Sequence, residues 1–196
     1  EPLACVVRGQ RLARIEPGQT VVVIGSGISG LLHILLARAS GAGKIIATDI
    51  SEYRMDMAGK LGADSVISAH DDLPSHLLKL NGNRLADRVI ATAGAVPALE
   101  TALKSVGRGG TVLFFAPGGP DVELHVPFND FWRDCITLMP TYGASPIDIE
   151  EAIKLISSNR VPVQDMITHR LGLAETERGF KLVTDAKESI KVIIEP

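Results

Sequence analysis

"VVVIGSGISGLLHILLARASG", residues 21–41, begins as a β-branched run, breaks at Gly25, Gly27 and Gly30, and continues as an apolar stretch of helical character. A strand that passes through a glycine turn straight into a helix is the first half of a βα unit. Each glycine has a mechanical reason in that setting: a tight turn, close approach of the backbone to a pyrophosphate, and close packing of the helix on the strand. The loop ends where the unpaired amides of the first helical turn point outward, which suits phosphate oxygens. Taken alone, the same spacing equally fits a turn that only lets a helix pack.

The flanking residues decide between the two. "TVVVI" (20–24) precedes the turn, "LLHILLARA" follows it, and "KIIATD" (44–49) places Asp49 at the end of the next strand, about 20 residues past the last glycine. A carboxylate there accepts hydrogen bonds from the adenosine ribose hydroxyls and repels a 2′-phosphate, so a dinucleotide site with NAD rather than NADP is expected. Arg54 could reach the ribose edge or, were Asp49 to swing aside, a 2′-phosphate.

Working outward, the pattern repeats. "KIIATD" leads into "SEYRMDMAGKLG", "DSVIS" (64–68) into "DDLPSHLLKL", and "DRVIATAG" (87–94) into "VPALETALKSVG". "GGTVLFFAP" (109–117) is followed by a looser loop containing "PFNDFWRD", the run "CITLMPTY" (135–142) and a helix from "SPIDIEEAIKLISS". Near-continuous apolar strands alternating with helices mean a parallel sheet covered on both faces. The expected fold is therefore α/β: a Rossmann-like, doubly wound, six-stranded parallel sheet in the order 3-2-1-4-5-6. "PLACVVRGQRLARI" ahead of the sheet has a partial helical period, and Pro17 and Gly18 make a turn. The strand, helix and strand of "DMITHRLGL", "AETERGFKLVTDA" and "SIKVIIEP" come after the sheet is complete and belong to another structural unit. The division is 1–16 as a linking helix, 17–162 as the dinucleotide-binding domain and 163–196 as a further segment.

Composition narrows the function classes. At 196 residues and 45% hydrophobic content the chain can bury one substantial core. A net charge of −3 offers no basic stripe for nucleic acid and no polybasic arm for a membrane, and no apolar run approaches the roughly 20 residues of a span. The first residues, "EPLAC", lack the basic n-region of a secretory signal, and a cytoplasmic location is expected. Cys5 and Cys135 lack CxxC spacing and read as reduced thiols. His33, His70, His76, His125 and His169 are not spaced as metal pairs and read as solvated or hydrogen-bonded structural residues. No serine lies in a GxSxG elbow. No self-sufficient acid, base or metal cluster is found, so no catalytic residue is expected within this chain.

These residues together resemble the medium-chain, zinc-dependent alcohol and polyol dehydrogenases, especially the sorbitol and threonine dehydrogenase-like branch. The resemblance runs through "EPLAC", "GQTVVVIGSGISG", "ATDISEYRMDMAGKLGAD", "GRGGTVLFFAP", "TYGASPIDIEEAIKLI", "MITHRLGLAETERGFKLV" and "SIKVIIEP". It covers essentially the whole chain, but only the C-terminal part of such a protein. It implies that the turn Gly25, Ser26, Gly27, Ile28, Ser29 and Gly30 seats the NAD pyrophosphate, with Asp49 and Arg54 at the ribose. It also implies that Thr92, Ala93 and Gly94, with Phe115, Ala116 and Pro117, line the nicotinamide half, and that Lys191 reaches the pyrophosphate from the other domain, as a point charge less directional than arginine. Residues 163–196 then return to a catalytic domain. That GroES-like domain, which carries the catalytic zinc ligands, has no counterpart here. Glu1 resembles a glutamate beside that Zn2+, as ligand or within one shell of it, and equally reads as an exposed terminal acid.

The implied activity is hydride transfer between a secondary alcohol or polyol and NAD, with zinc polarising the substrate oxygen in the full-length enzyme. Two other readings stand beside it: a stand-alone NAD-binding module without turnover, and a zinc-independent quinone or enoyl reductase relative. "CITLMPTYG" reads as a long, apolar edge strand, a template for a homodimer or tetramer near residues 135–143.

Overall fold

The computed structural model describes all 196 residues. Strands β1 (Thr20–Ile24), β2 (Lys44–Asp49), β3 (Ser65–Ser68), β4 (Ala86–Ala91), β5 (Val106–Phe114) and β6 (Thr137–Pro140) form one parallel sheet in the order β3-β2-β1-β4-β5-β6. All five residues of β1 are buried, which a strand achieves only when both faces of its sheet are covered. Alternate side chains divide between two cores. Val21, Val23, Ile45, Ile90 and Leu113 meet helices α1 (Pro2–Leu12), α2 (Ile28–Ala39) and α7 (Pro146–Ser157). Val22, Ile24, Ile46, Val89 and Val112 meet α4 (Leu73–Leu80) and α5 (Val96–Ser105). The remaining flanking helices are α3 (Glu52–Lys60), whose Ala58 joins the first core, and α6 (Phe128–Arg133).

The helix at the head of the chain is part of the first core rather than an appendage. Leu3, Val6 and Val7 of α1 are buried, and α1 packs on α2 and α7. An ion pair clamps it there: Arg11 Nη2 donates to Asp148 Oδ1 at 2.8 Å and Nε to the same oxygen at 3.1 Å. Burial alone would raise the Asp148 carboxyl, but the Ser145 donors and the Arg11 guanidinium outweigh it and hold the group down at about 2.

Three expectations need correction. The segment "PFNDFWRD" is not a loose loop: Pro127 precedes the short helix α6, and Phe131 and Ile136 anchor it against the second core. The outermost strand is not long. Cys135 stands at φ +52°, outside strand geometry, and the paired strand runs only from Thr137 to Pro140, with a last bond from the Thr141 amide to the Phe114 carbonyl at 3.2 Å. β5 also begins earlier than expected, at Val106, so Phe115, Ala116 and Pro117 lie just beyond its end.

The last segment makes a separate two-stranded parallel sheet from β7 (Ile167–Gly172) and β8 (Lys191–Glu195). Between them α8 (Thr176–Asp185) crosses at Gly179, against Leu171, Val192 and Ile194. A 3-10 turn, Val163–Met166, rests on α2 and buries Met166 in the first core. No helix is long and apolar enough to cross a membrane.

Candidate functional site

The parallel strands of the sheet all end on one side, and the site begins where β1 stops. Gly25 takes φ +94°, and its amide donates to the Thr48 carbonyl at 2.9 Å, turning the chain back over the end of β2. Thr92, at the end of β4, donates its hydroxyl to the Gly25 carbonyl at 2.8 Å and to that of Ile24 at 3.1 Å. Gly30 is the closest approach: a Cβ there would lie 1.9 Å from the Gly25 oxygen. Gly27 differs, since the nearest atom to a Cβ at that position is Arg54 Nη1 at 3.9 Å. The protein itself leaves that space open, as a bound phosphate requires. Gly27 is also the N-cap of α2 and offers no side-chain acceptor, so the first-turn amides are left for an external one.

Asp49 does more than face a ligand. It is only 5% exposed, and its two oxygens accept from the Ser26 amide at 2.7 Å and the Ser51 amide at 2.9 Å. The carboxylate thus braces the glycine turn against the end of β2, and each oxygen keeps lone-pair capacity for a further donor. Arg54, in the first turns of α3, has a buried Nε without a partner. Ser26 is fully buried, with its hydroxyl donated to the Thr48 carbonyl at 3.1 Å, so that side chain serves the turn.

Two clefts flank the start of α2. One, of about 470 Å³, is lined by Gly25, Gly27, Asp49, Arg54, Thr92 and Ala93 together with His70, among others. The other, of about 320 Å³, is lined by Glu1, Pro2, Cys5, Ile28, Ser29, Phe115, Thr141, Tyr142 and Gly143. Gly27 lines the first and Ile28 the second, so the two clefts lie on either side of the helix N-terminus. In the second cleft Cys5 Sγ donates to Glu1 Oε1 at 2.9 Å, and burial, then the Glu1 carboxylate, pushes the thiol up to about 11. The cysteine there is protonated and unreactive at neutral pH.

Of the residues expected at the site, Gly30 and Ser26 build the turn from behind. Gly94 backs onto the Pro117 carbonyl, 2.0 Å from a Cβ position, and the Ala116 amide donates to Ala91 at 3.1 Å. Gly94, Ala116 and Pro117 join the ends of β4 and β5 and line neither cleft. Lys191 opens β8 in the separate sheet and lines neither cleft. Sequence reasoning missed Thr141, Tyr142 and Gly143. The available signal was their place just past the last strand of a parallel sheet, on the side where such folds bind ligands.

Residues 29–158 match the family described as zinc-binding dehydrogenase. The chain belongs to that family. Over 200 residues this zinc-binding dehydrogenase chain is 34% identical to the protein named probable D-xylulose reductase A of Aspergillus clavatus, an alignment covering 99% of the chain and 55% of the relative. It is 29% identical to the sorbitol dehydrogenase of Bacillus subtilis, covering all of the chain and 56% of that protein. The solved alcohol dehydrogenase TADH of Thermus sp. ATN1 superposes with a TM-score of 0.87 at 27% identity, over the whole of this chain and 56% of that one. The chain spans about half the length of the curated relatives it matches.

Proposed function

We propose that this chain is the NAD-binding part of a dehydrogenase that moves a hydride between a secondary alcohol or polyol and NAD. The observation that carries the reading is the cleft over the N-terminus of α2, open at Gly27 and bounded by the Asp49 carboxylate. The first-turn amides of α2 hold the pyrophosphate, and Asp49, already fixed by two backbone donors, accepts the adenosine ribose hydroxyls. Arg54 covers the second glycine. Thr92 and Ala93, with Phe115, form the floor that carries the cofactor toward the Glu1-side cleft. When bound, the nicotinamide supplies the hydride acceptor.

For zinc the residues of this chain do not suffice: no three side chains among its His, Cys, Asp and Glu meet at one point. Glu1 is placed to contribute one oxygen in its cleft, so the metal and the alcohol site belong to residues of a full-length protein outside this chain. On this reading residues 1–16 link from that catalytic part and 163–196 return to it. The homodimer or tetramer we infer uses the short outer edge of β6, where Leu138 is 36% exposed and Trp132 of the adjoining α6 is 75% exposed.

Titration calorimetry with the 196-residue chain tests the cofactor assignment. NADH is expected to bind at least about tenfold more tightly than NADPH, and Asp49→Asn to narrow that ratio by weakening NADH. Absence of NADH binding, or preference for NADPH, overturns the reading.

A further inference from the structure

His33 lies in the middle of α2, fully buried, and makes one polar partnership. Gln10 of α1 donates through Nε2 to the His33 carbonyl at 2.8 Å and approaches His33 Nδ1 at 3.2 Å. A flipped amide would set its oxygen against that carbonyl, so the nitrogen assignment is forced, and Nδ1 must be the acceptor. Burial pushes the imidazole down to about 3, so it is neutral at ordinary pH. Its single ring proton therefore sits on Nε2, which has no polar partner. The ring stands perpendicular to that of Phe115, with centroids 4.6 Å apart. From another side α1 closes on the same phenylalanine: a Cβ at Gly9 would lie 3.5 Å from Phe115 Cδ2. The Phe115 amide is tied to Ala91 at 2.9 Å, and its ring lines the Glu1-side cleft beside Ile28, Ser29 and Thr141.

A buried polar pair with one N–H and one amide oxygen unsatisfied costs free energy that a leucine and a methionine would not. Packing alone does not call for it. We propose that His33, held by Gln10 in its Nε2–H tautomer, is a positioning residue: it fixes the Phe115 ring, and through it the wall against which the nicotinamide ring is placed. This rests on the dinucleotide reading above and deepens it at the nicotinamide end.

The test compares NADH with ADP-ribose, which lacks the nicotinamide, by titration calorimetry on the 196-residue chain. His33→Leu is expected to weaken NADH about fivefold while ADP-ribose stays within about twofold. His33→Gln, which keeps an N–H near the Nε2 position, is expected to restore NADH to within about twofold. Equal losses for both ligands, or none for either, overturn the positioning role while leaving the dinucleotide reading intact. A wild-type chain that binds neither ligand overturns both. Nitrogen-15 spectra of the wild-type ring supply a check that needs no variant. An Nε2–H tautomer supports the proposal, and an Nδ1–H tautomer overturns it.

Discussion

The two halves of the site are built by different means. The turn on the Asp49 side is tied by residues close in the chain, Ser26, Thr48, Asp49 and Ser51, with Thr92 of β4 bonded to it from further along. The Glu1 side gathers residues from the first helix, the start of α2 and the ends of β5 and β6. Behind its wall lies a buried polar contact between α1 and α2, in addition to the backbone bonds of Phe115 to Ala91 and of Thr141 to Phe114. The first half draws its turn from one βαβ unit and its far wall from β4 and α5. The second exists only when α1 is docked, so anything that loosens α1 removes it selectively.

The largest expected effect breaks both halves at once. In Gly30→Ala the methyl group would have to displace the Gly25 carbonyl from 1.9 Å, costing about 3 kcal/mol or more and abolishing NADH binding. Thermal denaturation and calorimetry read the two losses together.

A smaller effect separates the halves. Because the His33 pKa falls from 6.5 to about 3 on folding, the unfolded chain binds more protons between those values. The corresponding stability is complete above pH 6.5 and declines as pH falls toward 3, by about 2.5 kcal/mol at pH 4.5. Urea denaturation of the wild type at pH 7, 5.5 and 4.5 should show that slope, and His33→Leu should flatten it. A wild-type stability that does not fall over this range would remove His33 from the fold's acid response.

The smallest effect on stability tests the Asp49 half alone. Gly27→Ala meets nothing nearer than 3.9 Å and should leave the melting stability within about 0.5 kcal/mol, while its methyl group occupies the pyrophosphate seat and weakens NADH at least about tenfold. Unchanged NADH affinity in a folded Gly27→Ala chain would place the pyrophosphate elsewhere.

What was legible in the sequence follows the same division. The order of the six strands comes from the regular alternation of strands and helices, and the pairing of the glycine turn with Asp49 from spacing within one βαβ unit. Where the pattern misled, long-range geometry had overridden it. "CITLMPTY" is apolar enough for eight strand residues, yet with Cys135 left-handed the strand spans only the four from Thr137 to Pro140. "PFNDFWRD" is too aromatic and too short to show a helical period, and folds as α6 because Phe131 finds a core to enter.

The linear sequence by itself determined the parallel doubly wound sheet and the glycine turn at its centre, because β-branched runs, glycine spacing and a single acid act over distances that the backbone sets. Tertiary structure alone decided that Thr141 and Tyr142 share a cleft with Glu1, that Asp49 braces the turn it serves, and that His33 is a neutral buried partner of Gln10 and Phe115. Those relations join residues tens of positions apart, and no periodicity in the chain encodes which side chains meet once two helices and the ends of three strands have packed together.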